Sequence, residues 1–287
     1  MTFTTHSTTS KDGTKIGYRQ IGNGQGLIIC HGGGRISQNY ESLAIALSDS
    51  FKVYIPDRRG RGLSEAEGEN YDIHKATEDL IAVIQTTSAD FIFGHSAGAM
   101  IALETMLTHP VKRLAVYELP ISINHSFPLT WLTGFQIAIQ KGKRKKAMAI
   151  SLKGLNIVEG IGKMPVWVIN LLLNVLSLFE RKKDKGTRMV DLIPTLTADI
   201  KMIAELDSTI EQYQQINIPV SLMAGSKSPK YFHHGLQILN KNLKQSDIII
   251  FDNLDHNSPE GKNIQIVEQL KKYFASSFPK AAANVLD

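Results

Sequence analysis

A single cysteine in 287 residues leaves no partner for an intrachain disulfide, so nothing covalent staples this chain. The neighbours of Cys30, Leu27 to Ile29 in sequence, place it in an apolar strand pattern, and a lone buried thiol suits a reducing compartment. The first stretch, residues 1–14, is polar and rich in Thr and Ser. It lacks the apolar centre that a secretory signal needs, so the expected location is cytoplasmic. No apolar run reaches spanning length: the longest, residues 164–179, falls about two residues short and carries Asn170 and Asn174 on one helical face. It reads as a buried cap helix and not a membrane span, although the basic residues at 181–183 leave contact with a membrane surface open.

The formal charge of +5 gathers at residues 141–146 and 181–185. Neither cluster is interleaved with aromatics or set in a nucleic-acid-binding motif, so both read as solvated faces and no nucleic-acid partner is expected. The glycine runs are followed by no Gly-Lys-Ser/Thr and show no dinucleotide spacing, which argues against a phosphate-binding loop. What is present is ordinary globular material: 43% hydrophobic and 21% charged residues are enough to bury a sizeable core.

Periodicity gives that core a class. Strand patterns at 15–20, 26–30, 52–55 and 90–93 alternate with helical patterns at 38–47 and 74–86. A helix at 97–108 and a strand at 113–119 follow, after which strand signals vanish for about a hundred residues. Within that gap, 131–139, 147–155, 166–179 and 195–206 look helical, and strands resume at 220–224 and 247–251 before a last helix at 261–274. The expected fold is therefore α/β, a mostly parallel sheet of about eight strands flanked by helices, interrupted by an inserted helical cap. The expected division is a discontinuous core (1–119 and 212–278), a cap (120–211) and a flexible tail (279–287).

Chemistry should gather where strands end. Gly94-His95-Ser96-Ala97-Gly98 joins a strand to a helix, the setting in which a serine hydroxyl is thrust up on a sharp turn. The turn presses backbones together so closely that a Cβ at Gly94 or Gly98 would clash, which makes Ser96 the nucleophile candidate. His31-Gly32-Gly33-Gly34 follows the strand at 26–30, and its small residues let backbone N–H groups approach a substrate oxygen. Gly33 and Ala97 are the expected oxyanion-hole donors, with His31, Gly32, Gly34 and His95 beside them as substrate contacts. His256 lies just beyond the last strand and is the expected general base.

Together with Asp57-Arg58-Arg59-Gly60-Arg61-Gly62-Leu63-Ser64, these motifs make the chain, from about residue 8 to 274, resemble the α/β-hydrolase superfamily. The third motif resembles the family's Asp-x-Arg-Gly-x-Gly-x-Ser segment, and its arginines and glycines are expected to fix a turn, not to catalyse. The resemblance fails at the acid. Most relatives carry Asp in a Gly-x-x-Asp turn, and this chain has Gly225-Ser226-Lys227-Ser228 there; a serine cannot stabilise an imidazolium by charge. Glu118, at the end of the preceding strand, resembles the position that some haloalkane dehalogenases and lipases use, and it is favoured over Asp252 and Asp255.

Trp131, Phe135 and Trp167 are expected to help wall an apolar pocket above Ser96. The resemblance implies a small-molecule, ester-like substrate and neither metal nor organic cofactor. Cofactor-free lyase or perhydrolase chemistry, and a receptor that binds without turnover, are the competing readings.

Overall fold

A computed structural model describes residues 2–158, 160–180 and 187–276. The basic run at 181–185 and the tail from residue 279 lie outside them. The strands are β1 (Thr4–Thr9), β2 (Lys15–Ile21), β3 (Gln25–Cys30), β4 (Phe51–Pro56), β5 (Phe91–His95), β6 (Arg113–Tyr117), β7 (Val220–Gly225) and β8 (Ser246–Phe251). They form one eight-stranded sheet in the order β1-β2-β4-β3-β5-β6-β7-β8. β1 and β2 pair antiparallel, β2 pairs antiparallel with β4, and every pairing from β4 to β8 is parallel.

The central strands are short apolar runs because both of their faces are covered. Ile28, Ile92, Val116 and Leu222 point to one face, under α2 (Ile73–Thr87), α3 (Ala97–Thr105) and α9 (Lys230–Asn242). Their neighbours Ile29, Phe93, Ala115 and Met223 point to the other, under α1 (Glu41–Leu47) and α10 (Ile264–Ala275). This two-residue alternation fixes the register, since a slip by one residue would exchange the two cores. α10 begins at residue 264, later than its apolar pattern suggested, because the side chain of Asn263 accepts from the amides of Gln265 and Ile266 and starts the helix there.

β1 has no counterpart in the sequence reading. Its six residues, Thr-Thr-His-Ser-Thr-Thr, are polar and mostly exposed on an outer edge, so they show none of the apolar alternation that reveals a strand. Threonine's β-branched side chain and six paired positions with β2 are what make it one.

Between β6 and β7 lie α4 (Leu132–Gln140), α5 (Arg144–Leu155), α6 (Val166–Glu180), α7 (Met189–Leu192) and α8 (Leu196–Glu205). This insertion has a small core of its own, in which Phe135, Ala138, Ala147 and Ile200 are buried together. Among the described residues no helix is long and apolar enough to cross a membrane.

Candidate active site

β5 ends at His95 and α3 starts at Ala97, so Ser96 alone makes the turn. It does so at φ 52°, ψ −124°, a backbone conformation that residues other than glycine rarely adopt. The turn is forced tight by what lies around it. A Cβ on Gly94 would come within 2.5 Å of Ala99 Cα, and one on Gly98 within 2.3 Å of the Cys30 carbonyl oxygen. Close approach, not an unusual φ, is thus what the two flanking glycines provide.

Glu118 follows β6 and is also held at a positive φ, 50°. Its side chain is fully buried. Oε2 lies 2.7 Å from His256 Nδ1, while Oε1 accepts from the Gly225 amide at 2.8 Å and from the Ser228 hydroxyl. Ser228, in the turn where most relatives carry their acid, thus binds a carboxylate delivered by the neighbouring strand. β6 and β7 are adjacent, with Tyr117 paired to Met223, so moving the charge from one strand end to the next leaves the histidine where it was. Asp255 and Asp252 are occupied elsewhere: Asp255 Oδ1 accepts from the Asn257 amide and the Ser258 hydroxyl, and Asp252 bonds Ser226 and Asn253.

His256 is wedged between two rings, stacked on Phe232 at 4.8 Å and tilted against His95 at 4.8 Å. Burial, together with His256 and Arg35 nearby, holds the pKa of His95 well below its ordinary value. His95 is therefore a neutral ring beside His256. Tyr40 Oη holds His95 Nδ1 at 2.5 Å and accepts from the Gly32 amide at 3.1 Å, which ties the glycine loop to the elbow. Because Glu118 takes His256 Nδ1, Nε2 is the ring nitrogen left for a serine proton. Ser96 Oγ itself has no hydrogen-bond partner among the described residues.

Ser96 and His256 line one cavity of about 340 Å³, together with Gly33, Gly34 and Ala97. The Gly33 amide makes no hydrogen bond among the described residues, and the Ala97 amide is the first of α3, with no carbonyl one turn earlier inside the helix. Both donors are therefore available to an oxygen in the cavity. Arg35 fastens the glycine loop to the histidine loop through Glu260 at 2.7 Å and Asn257 at 3.2 Å.

Set beside known proteins, residues 24–132, which hold the glycine loop, the Asp57 segment and the elbow, match a family model described as serine aminopeptidase, S33. Uncharacterized hydrolase YraK of Bacillus subtilis is 29% identical over 102 residues, 34% of this chain and 38% of that protein. The curated relatives are thus matched over little more than a third of their length. An α/β hydrolase from Sphaerobacter thermophilus superposes with a TM-score of 0.75 at 24% identity, covering 94% of this chain and 100% of that one. An esterase from Exiguobacterium antarcticum does so at 0.71 and 20%, covering 94% and 99%. The chain has the α/β-hydrolase fold.

In this α/β-hydrolase framework several residues expected at the substrate sit elsewhere. Trp167 is 68% exposed on the outer side of α6, because the inward side of that helix is taken by Ile169 and Leu173. Phe135 is fully buried in the core of the insertion, edge-on to Trp131 at 5.6 Å. His31 is structural: its Nδ1 bonds the Gly32 carbonyl and its Nε2 accepts the Arg58 amide, so it locks the glycine loop to the turn after β4. Gly32 and His95 stand behind the cavity wall, where a Cβ on Gly32 would press on Ser96 Cβ at 3.3 Å. Trp131, Gly33 and Gly34 do line the cavity.

Asp199 went unnoticed in the sequence. This carboxylate of α8 is buried in the cavity wall and receives both Arg58 and, at 3.0 Å, Arg61. Burial pushes its pKa up, but the two guanidiniums more than offset that and hold it below the usual carboxylate range. The Asp57 segment therefore does more than fix its own turn, since Arg58 and Arg61 also fasten the insertion to the core. An acid on the apolar face of α8, beside Ile200 and Ile203, was the available signal; its partners were 141 and 138 positions away.

Proposed function

We propose that this protein is a serine hydrolase that cleaves a small, partly apolar carboxylic ester, lactone or thioester through an acyl-enzyme. One observation carries the reading: a serine held on a strained turn and a histidine paired with a buried glutamate open onto the same cavity. Ser96 Oγ attacks the carbonyl carbon while His256 Nε2 accepts its proton. Glu118 stabilises the imidazolium that results. The Gly33 and Ala97 amides receive the charge that develops on the carbonyl oxygen, each donor contributing about 3 kcal/mol. His256 then protonates the leaving group, and water admitted to the cavity resolves the acyl-enzyme by the same steps in reverse.

The cavity wall supports an apolar acyl or alcohol portion. The insertion supplies Met148, Leu152, Leu155, Ile193, Ile200 and Ile203, and its two polar lining residues are already bonded, Ser151 to the Met148 carbonyl and Asp199 to Arg58 and Arg61. About 340 Å³ is at the small end of ligand pockets, which suits a short or medium chain. The test is labelling with a fluorophosphonate probe followed by turnover of esters, lactones and thioesters of graded chain length. Ser96 should be labelled, and activity should rise and then fall with chain length. A protein that never reacts at Ser96 would be a receptor in a hydrolase fold.

A further inference from the structure

α6 shows water the wrong face. Ile169 and Leu173 turn inward, yet Trp167, Leu171, Leu172, Val175 and Leu176 are all exposed, and at 100° per residue they form a continuous apolar band about half the circumference wide. Asn170 and Asn174 border that band on one side. Beyond them lies an open groove lined by Lys143, Arg144, Lys145 and Lys146 at the start of α5. Arg144 is paired with Asp191, and Lys145 with Asn174 at 2.9 Å, while Lys143 and Lys146 pair with nothing among the described residues. On the other side the band runs into the catalytic cavity: Leu176 is 58% exposed and also lines the cavity that holds Ser96.

We propose that this face of the insertion docks on an anionic phospholipid bilayer, with α6 lying in the plane of the interface. An apolar band gains by leaving water for the acyl region, ammonium groups beside it gain from anionic headgroups, and a tryptophan at the edge suits the boundary between them. A second copy of the chain is a poorer occupant, because the antiparallel two-fold pairing of α6 would bring like-charged grooves together, whereas an anionic surface neutralises them. The docked orientation places the exposed edge of the cavity lining, at Leu176, against the acyl chains. The docking needs no catalysis, but if the hydrolase reading holds it also names the source of the substrate: an apolar ester or lactone dissolved in the membrane.

The whole 287-residue chain, mixed with vesicles of phosphatidylcholine alone or with about a third phosphatidylglycerol, should float with the second and not the first. Of the two tryptophans, Trp131 is buried with its Nε1 bonded to Pro128, so a blue shift of emission on binding reports on Trp167. Leu171→Glu with Leu172→Glu should abolish flotation, and Lys143→Gln with Lys146→Gln should weaken it about thirtyfold. None of these four residues lines the cavity, so turnover of a water-soluble ester should be unchanged in both variants. Flotation without any such turnover would leave the docking standing and remove the hydrolase reading alone. Full flotation of the leucine variant would overturn the docking. So would failure of the unaltered protein to bind either vesicle, including the case where sedimentation shows a dimer that the leucine variant dissociates.

Discussion

The floor and the roof of the cavity are built on different rules. The floor consists of strand ends, and its chemistry depends on position: Glu118 is fixed by three hydrogen bonds, His256 by a carboxylate and two rings, and Ser96 by backbone contacts that leave no room for a side chain at Gly94 or Gly98. The roof consists of helices whose cavity residues are interchangeable in kind, and its requirement is apolar volume. Between the two runs one buried ionic junction, Asp199 with Arg58 and Arg61. A site of this type concentrates its strain and its hydrogen bonds where atoms must react, and leaves selectivity to a layer that can vary without disturbing them.

The largest effects should come from breaking the floor. Ser96→Ala and His256→Ala should each lower kcat for an ester by about 10⁴ to 10⁶, measured by initial rates, with unfolding midpoints unchanged. Glu118→Gln should cost about 10⁴ in kcat by removing the charge that stabilises the imidazolium, while Asp255→Asn does little. If Asp255→Asn proved the damaging change, Glu118 would be a structural carboxylate. The Ser228 contact sharpens this: Ser228→Asp in the Glu118→Gln background places a carboxylate beside the vacated charge and should restore part of the loss.

The junction should come next. Asp199→Asn leaves the buried Arg58 without a countercharge and Arg61 with only Glu67 at 3.9 Å, and should cost about 3 to 5 kcal/mol, read from urea unfolding. The pH dependence follows from its lowered pKa. A carboxyl whose folded pKa is depressed contributes fully above its unfolded value, near 3.9, and loses that contribution as pH falls through the folded value. The unaltered protein should therefore lose this stability only in acid below the ordinary carboxylate range, and the Asn variant should lack that component at every pH.

Changes to the roof should be milder and selective. Leu152→Phe adds bulk to the cavity without touching Ser96 or His256, and should shift preference toward shorter acyl chains by about tenfold in kcat/KM per methylene pair lost. A uniform fall across all chain lengths would mean that Leu152 shapes the floor as well.

The same division explains what was legible in the sequence. Ser96, the glycine loop and His256 could be found because each stands at a fixed offset from an apolar strand, and the geometry of a tight turn dictates the glycines around it. Glu118 could be reached by reasoning from the missing acid at Ser228 to the adjacent strand end. The roof was legible only as helices. A helical period says which residues share a face but not which face meets the cavity, so Trp167 and Phe135 were expected at the substrate when one faces outward and the other inward. β1 was silent because both its faces are wet, and Asp199 because its partners are far away in sequence.

The smallest effect tests whether the floor is strained and the roof is not. Ser96 and Asn156 have nearly the same φ, 52° and 50°, but ψ is −124° at the elbow and 34° at Asn156, the C-terminal cap of α5. The second pair of angles is the left-handed well that Asn tolerates; the first is not. Ser96→Gly should relieve about 1 to 3 kcal/mol of strain, offset by the roughly 0.5 to 1 kcal/mol that glycine's extra freedom costs on folding. The net gain, about 1 kcal/mol, should raise the melting temperature by about 2 to 4 °C. Ser96→Ala keeps the Cβ and should gain nothing. Asn156→Gly relieves no strain and loses the bond from the Gly162 amide to Oδ1, so it should lower stability by about 1 kcal/mol. Opposite signs for the same exchange at matched φ would show that the elbow stores strain at Ser96, and equal signs would place the destabilising feature outside the backbone of that residue.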